Sequence, residues 1–157
     1  MAAGIDQSNL LVNVGFGGAS APYSAEEPIG QSFTAGLNGQ LSDIVVYTNG
    51  SIQNNTGTIL LRVHSGDGID GTILGQASFA LSDLTSQNPY KAALIFDTNN
   101  LNIGLTAGQK YTFDLAVTSI DGSGNWAERG YLGHEYNPYA GGRALVHAGY
   151  GDQPDWI

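Results

Sequence analysis

The sequence predicts an all-β fold, a jelly-roll-like antiparallel β-sandwich with very little helix. Three observations carry this prediction: short runs of alternating apolar and polar residues, 23 glycines among 157 residues, and the lack of any sustained 3.6-residue apolar repeat. Glycine-rich turns between short, half-buried strands are typical of sandwiches and barrels. No internal repeat or shift in composition divides the chain, so residues 1–157 are predicted to form a single domain.

The clearest strand signal is an alternation of apolar and polar side chains at residues 110–118. Its apolar members are Tyr111, Phe113, Leu115 and Val117. The same period of two occurs at residues 59–64 and at residues 41–48. Because such alternation indicates a strand with one face on a core, we expect all three segments to be central strands.

Four weaker strand signals are bounded by Gly, Asn, Asp or Pro. They lie at residues 31–35, 77–81, 92–96 and 144–147. Residues 101–105 predict a short edge strand or an extended loop, and at most one helical turn is expected near residues 81–86. We expect residues 1–30 to form an entry segment or an edge strand. Within this segment, residues 13–27 are expected to form a long loop or to cross to another chain.

The charge and composition of the chain restrict its expected partners and its expected location. The formal net charge is -9, which opposes binding to nucleic acid or to anionic membranes. No apolar stretch approaches the roughly 20 residues of a membrane-spanning helix, so membrane insertion is not expected. Only 12% of residues are charged, and a surface of Asn, Gln, Ser, Thr and Gly suits extracellular β-proteins. The chain has no cysteine, so cysteine usage does not indicate a compartment. We therefore expect a secreted or cell-surface protein, with any export signal removed or upstream.

The segment at residues 121–152 is predicted to be an aromatic loop region. Aromatic rings stack on the apolar faces of sugars, while charged and amide side chains bind sugar hydroxyls. The candidate ligand-binding residues are Trp126, Glu128, Tyr131, His134, Tyr136, Tyr139, Arg143 and Asp152. An alternative interpretation is that these rings only cover one open end of the sandwich.

The glycine-rich run from Ser65 to Gly71 has two interpretations. Asp-Gly is a standard choice for a hairpin turn, so the run predicts a plain connection between two strands. Its carboxylates, Asp67 and Asp70, also suit a hard cation, which makes calcium the one cofactor to consider. The run lacks the further ligands of an EF-hand loop. No cofactor is required by the sequence.

Enzymatic activity is not predicted. The three histidines, His64, His134 and His147, do not occur at metal-ligand spacing, and the chain has no Gly-x-Ser-x-Gly elbow. Acidic pairs that would suit a glycosidase occur by chance in any acidic β-protein. Because a catalytic function requires a site and not only a fold, no catalytic residues are assigned.

Several motifs, in order, resemble bacterial choice-of-anchor-type β-sandwich domains, which are similar to carbohydrate-binding modules of secreted and surface proteins. The matching stretches are Gln31-Ser32-Phe33-Thr34, residues 59–68, residues 71–74, Leu105 to Phe113, and Asn137 to Gly142 followed by Asp155. The resemblance implies a jelly-roll-like sandwich and no particular activity. Family members continue after the Asp with an apolar strand, whereas only Trp156 and Ile157 follow here. We therefore expect a short closing edge or one completed by a neighbouring domain or subunit.

Two function hypotheses follow from these observations. The first is a non-catalytic extracellular glycan-binding module whose aromatic and polar loop residues hold a glycan or polysaccharide. The alternative is a structural or adhesive head domain of an oligomeric surface or tail fibre, for example a homotrimer. In either case neighbouring domains of a longer protein are expected partners.

Overall fold

The computed structural model describes residues 29–47, 56–86, 93–121 and 141–145. These residues form antiparallel sheets with one short helix, which confirms the predicted all-β class. The strands are β1 (Ile29–Thr34), β2 (Gly39–Gln40), β3 (Asp43–Tyr47), β4 (Thr56–Ser65), β5 (Ile73–Ala80), β6 (Ala93–Asp97), β7 (Gly104–Leu105), β8 (Lys110–Asp121) and β9 (Ala144–Leu145), with helix α1 (Leu81–Ser86) after β5. The finer jelly-roll topology stays a prediction.

The largest sheet has five strands in the order β5-β4-β8-β1-β9, and each neighbouring pair is antiparallel. The predicted strands at residues 59–64 and 110–118 are the long central pair, β4 and β8. Their register places Leu61 opposite Leu115 and Val63 opposite Phe113. Directly opposed residues share one face of a sheet, so the apolar alternations of the two strands coincide.

Strand β3 pairs with β6 in a separate two-stranded ribbon. Ile44 faces Phe96 across this ribbon, and both are buried, whereas the next pair, Val45 and Ile95, is 45% and 46% exposed. The prediction that residues 41–48 form a central strand of the sandwich was therefore wrong in its placement. Alternation reports that one face of a strand is buried, but it does not report which strand is the neighbour.

The hydrophobic core lies between the five-stranded sheet and a second layer made by the β3–β6 ribbon, α1 and the residues before β7. The buried core side chains are Ile44, Val46, Ile59, Leu61, Val63, Leu84, Leu94, Phe96, Ile103 and Leu115. Phe96 contacts Phe79 edge-on with a ring separation of 5.2 Å. This two-layer packing is sandwich-like, and it arises because each layer has one apolar face to bury.

The weaker strand predictions are confirmed with shifted boundaries. Strand β5 begins at Ile73, before the predicted start at residue 77, and α1 takes over from Leu81. The predicted helical turn at residues 81–86 is this helix. Of residues 101–105, Leu101 is the last residue of a 3-10 turn, and Gly104–Leu105 form β7. The strand predicted at residues 144–147 corresponds to β9. Of the predicted entry segment, Ile29 and Gly30 belong to β1, and residues 1–28 lie outside the described residues.

The second face of the five-stranded sheet carries polar side chains, and those at its centre are buried. Arg62 and His64 alternate with the core residues of β4, and Thr112 and Asp114 do the same on β8. Thr112 and Asp114 have no exposed surface. Charged and hydroxyl side chains are rarely fully buried unless they are paired, so Thr112 and Asp114 are expected to have bonding partners on this face.

None of the helices in the described ranges has the length and apolar character of a membrane span.

Candidate functional site

An inner cluster of three charged or titratable side chains lies on the polar face of the sheet. Asp114 is opposite Arg62 in the β4–β8 register, so the two side chains share that face. Arg62 Nε and Nη2 donate to Asp114 Oδ1 at 2.9 and 2.7 Å, and Nε also lies 3.2 Å from Oδ2. Because the carboxylate is completely buried, this fork of charge-assisted bonds compensates much of its lost hydration.

His64 contacts the other side of the same carboxylate. Its Nε2 donates to Asp114 Oδ2 at 2.5 Å, and its Nδ1 lies 3.3 Å from the backbone oxygen of Gly71. An Asp–His pair activates a nucleophile only where the far ring nitrogen reaches a hydroxyl or thiol. Here that nitrogen contacts the backbone oxygen of Gly71 in the β4–β5 turn, so the Asp114–His64 pair stabilises the turn.

Thr112 holds the beginning of the same turn. Its Oγ1 accepts a hydrogen bond from Gly68 N at 2.8 Å and donates to Gly66 O at 2.9 Å. Gly66 also donates from its backbone to Lys110 O. The turn from Gly66 to Gly71 is therefore fixed to β8 at one end and to His64 at the other.

An outer cluster is formed where this turn reaches the surface. Lys110 Nζ lies 2.7 Å from Asp67 Oδ2, and Arg143 Nε lies 3.4 Å from Asp67 Oδ1. Arg143 Nη2 also donates to the backbone oxygen of Asp67 at 3.2 Å. The side chains are partly exposed, at 45% for Lys110, 44% for Arg143 and 28% for Asp67. The outer cluster is thus ordered by contacts and still accessible.

The electrostatics of the outer cluster favour an ionised Asp67. A hydrogen bond from Lys110 is the largest cause, followed by a hydrogen bond from Ser32, and the positive charge of Arg143 adds to them. Together they lower the pKa of Asp67 from 3.8 to about 2, against a smaller opposing effect of burial. The carboxylate is therefore an acceptor at any physiological pH.

Arg143 reaches the outer cluster because its backbone is bonded to β1. Arg143 N donates to Ser32 Oγ at 2.8 Å, and Ser32 N donates to Arg143 O at the same distance. Thr34 Oγ1 donates to Gly141 O at 2.7 Å. A Cβ at Gly142 would lie 1.7 Å from the backbone oxygen of Ser32, so only glycine permits this close approach.

The calcium hypothesis fits this environment poorly. A calcium ion at Asp67 would displace the Lys110 ammonium and lie beside the Arg143 guanidinium, and both cations repel it. Asp70 is exposed on the same turn. Within the described ranges, no group of three or more His, Cys, Asp or Glu side chains is arranged to hold a metal ion. The sequence-based calcium hypothesis for Asp67 and Asp70 is untested, and the contacts of Asp67 with Lys110 and Arg143 favour its absence.

Of the eight predicted ligand-binding residues, the described part of the chain contains Arg143 alone. Its side chain contacts Asp67, which the sequence predicted as a calcium ligand. The two residues are 76 positions apart in the chain. The other seven predicted residues lie outside the described residues. They are Trp126, Glu128, Tyr131, His134, Tyr136, Tyr139 and Asp152.

Sequence reasoning missed the residues that organise both clusters: Arg62, Asp114, Thr112, Lys110 and Ser32. One signal for the inner cluster was available. Arg62 and Asp114 carry opposite charges at the polar positions of two strongly alternating strands, which predicts one shared face if the strands are neighbours. The neighbour relation itself depends on tertiary structure, because β4 and β8 are separated by three strands in the chain.

Comparison with known proteins finds no matching family model, no matching curated protein and no matching solved structure. The resemblance to choice-of-anchor-type domains therefore stays an expectation.

Proposed function

We propose that the chain is a non-catalytic extracellular glycan-binding module, and that the outer cluster of Asp67, Lys110 and Arg143 forms the polar part of its site. The observation that supports this proposal is the convergence of Arg143 and Asp67. Arg143 was a candidate for glycan binding and Asp67 a candidate for cation binding, and the two side chains contact each other at a partly exposed position.

The outer cluster has the donors and acceptors that a sugar requires. A sugar hydroxyl both donates and accepts hydrogen bonds, and a carboxylate beside two cations offers one acceptor and several donors within a few ångströms. The side chains are already ordered by their mutual contacts and by the inner cluster beneath them. Such preorganisation lowers the entropic cost of binding.

One aromatic candidate of the hypothesis, Tyr139, lies four residues before Arg143 in the sequence. Gly141, between the two, is bonded to Thr34 on β1. The proposal assigns to the Tyr139 ring the stacking on a sugar whose hydroxyls the outer cluster binds.

The test is an array of glycans and polysaccharides, with hits quantified by calorimetry. Arg143→Ala and Asp67→Asn should each weaken binding by about tenfold or more, as expected for a lost hydrogen bond to a charged group. Trp126→Ala and Tyr139→Ala test the aromatic part separately. Asp43→Asn is the matched control, because it removes a carboxylate from an exposed strand position in the other layer.

Two results would contradict the proposal. One is silence of the wild-type protein across the whole array. The other is binding that Arg143→Ala, Asp67→Asn and Asp43→Asn leave equally strong while thermal melts show that all three variants are folded. In the second case the glycan site would lie elsewhere on the molecule.

A second candidate function is the oligomeric structural or adhesive head domain. It is favoured by the outward face of the β3–β6 ribbon, where Val45 and Ile95 form an exposed apolar pair. Exposed apolar neighbours of this kind mark protein interfaces when they are part of a larger patch. Ile95→Lys should then lower the mass of the protein in solution, measured by analytical ultracentrifugation.

A further inference from the structure

Strand β5 is the edge of the five-stranded sheet. It pairs with β4 on one side, and no strand among the described residues pairs with its other side. Residues 75–80 continue in regular register with β4, after a bulge at Leu74. A row of unpaired backbone groups on such an edge is a template for a further strand.

The composition of β5 leaves this edge unprotected. Its sequence, ILGQASFA, contains no charged residue and no proline, which are the usual means of blocking an edge. The nearest charged residues along the chain are Asp70 before the strand and Asp83 after it. Of the other edge strands described here, β2, β7 and β9 have two residues each, and β3 and β6 each carry an aspartate. The β5 edge is therefore the long neutral edge of the described fold.

The strand is also complementary to itself. If two copies of β5 pair antiparallel around Ala77, Gly75 of each copy lies opposite Phe79 of the other, and Gln76 lies opposite Ser78. On the core face, Gly75 already lies against the Ile103 and Leu101 side chains of its own copy, so this pair meets without a bulky side chain at position 75. Gln76 and Ser78 are both exposed and form a polar pair on the other face. The small Ala77 side chains meet at the two-fold axis.

We propose that the β5 edge is a homodimer interface, at which two copies of this chain join their five-stranded sheets into one continuous sheet. A second copy fits better than an unrelated acidic or basic peptide, because the edge has no charge to select such a partner. Each copy has a net charge of -9, and the neutral β5 strand adds no charge of its own to the repulsion between two copies. This inference is independent of glycan binding.

The experiment uses charge pairs placed by the proposed register. In the double variant Gln76→Glu with Ser78→Glu, two carboxylates oppose each other twice across the two-fold axis. In the matched variant Gln76→Glu with Ser78→Lys, the same positions form two salt bridges between the copies. Both positions are exposed within one copy, so both variants should fold, as far-ultraviolet circular dichroism checks.

Sedimentation equilibrium over a range of protein concentrations supplies the readout. The wild type should be in a monomer–dimer equilibrium. The dissociation constant of the Glu/Glu dimer should be about tenfold or more above that of the wild type, because like charges face each other. The Glu/Lys variant should dimerise at least as tightly as the wild type.

Three outcomes overturn the proposal. They are a wild type that stays monomeric at every concentration, equal dimerisation of the Glu/Glu and Glu/Lys variants, and a dimer that Ile95→Lys dissociates while the Glu/Glu variant does not. None of these readouts depends on a ligand. Failure of the dimer and failure of glycan binding are therefore distinguishable.

Discussion

Asp114 has the most demanding environment of any described residue. Its carboxylate is fully buried and is bonded to Arg62 on one side and to His64 on the other. Removing one member of a buried ion pair leaves an uncompensated charge, which costs far more than the pair contributes as a whole. The stability of the polar face therefore depends on this single side chain.

Asp114→Asn should destabilise the protein by about 3–5 kcal/mol, because Arg62 and His64 both lose the charged partner that the buried carboxylate supplies. The measurement is urea denaturation followed by circular dichroism. Asp43→Asn, at an exposed position, should change the free energy of unfolding by about 0.5 kcal/mol or less. Equal stability of the two variants would mean that the inner cluster is not closed in solution.

The low pKa of Asp67 predicts a dependence of stability on pH. Its folded-state pKa of about 2 lies below the ordinary value of 3.8, so the ionised form contributes stability above about pH 4. That contribution is lost as the pH falls from about 4 to 2. Lys110 and Arg143 are nearly half exposed and screened by solvent, which limits the effect to about 1 kcal/mol.

The measurement is urea denaturation at several pH values for the wild type and for Asp67→Asn. The difference in free energy of unfolding between them should shrink as the pH falls through this window, while carboxylates common to both proteins cancel. A difference that does not change with pH would indicate that Asp67 is not paired with Lys110 and Arg143.

Among the elements, the β4–β5 hairpin connects the two clusters. Its turn is held by Thr112 from β8, by His64 from β4 and by Arg143 from the segment before β9. The turn is closed by Ser65 N donating to Thr72 O at 2.9 Å. Two segments outside the hairpin, β8 and the segment before β9, therefore help to determine the position of Asp67, which a hairpin alone would leave free to move.

A pair of glycine substitutions tests this element. A Cβ at Gly71 would lie 1.7 Å from the backbone oxygen of Ser65, whereas a Cβ at Gly39 meets nothing within 4 Å. Gly71→Ala should therefore destabilise the protein by at least about 1–3 kcal/mol through forced backbone movement. Gly39→Ala should be neutral or stabilising by up to about 1 kcal/mol, since it restricts only the unfolded chain.

Thermal unfolding of the two variants supplies the comparison. If Gly71→Ala melts at the temperature of Gly39→Ala, the hairpin does not adopt the closed turn described here. A loss of glycan binding in Gly71→Ala at temperatures where it is folded would, in addition, connect the turn to the proposed site.

At the scale of the whole molecule, positive charge is scarce. The chain has five Lys and Arg residues against 14 Asp and Glu, and two of the five, Lys110 and Arg143, converge on Asp67. A third, Arg62, is used in the inner cluster. The outer cluster is thus a local site of mixed charge on an acidic molecule. Such a site favours a ligand with neutral hydroxyls over a polyanion, which the net charge repels.

Calcium should leave the melting temperature of the whole protein unchanged relative to chelator. Lys110 and Arg143 already neutralise Asp67, and a ligand raises the melting temperature only when it binds the folded state. The measurement is differential scanning calorimetry in both conditions. A calcium-dependent rise that Asp67→Asn abolishes would instead support the calcium hypothesis for this turn.

The sequence by itself determined the fold class, most strand positions, the short helix and the hairpin turn. These features depend on local rules: period-two alternation, turn residues and the lack of a helical repeat. Tertiary structure decided that residues 43–47 belong to a separate ribbon, that β4 and β8 are neighbours, and that Arg143 meets Asp67. Strand pairing joins residues that are far apart in the chain, and alternation on one strand carries no information about its partner. The two clusters could not be predicted for the same reason, since each combines side chains from strands and turns that only the folded sheet brings together.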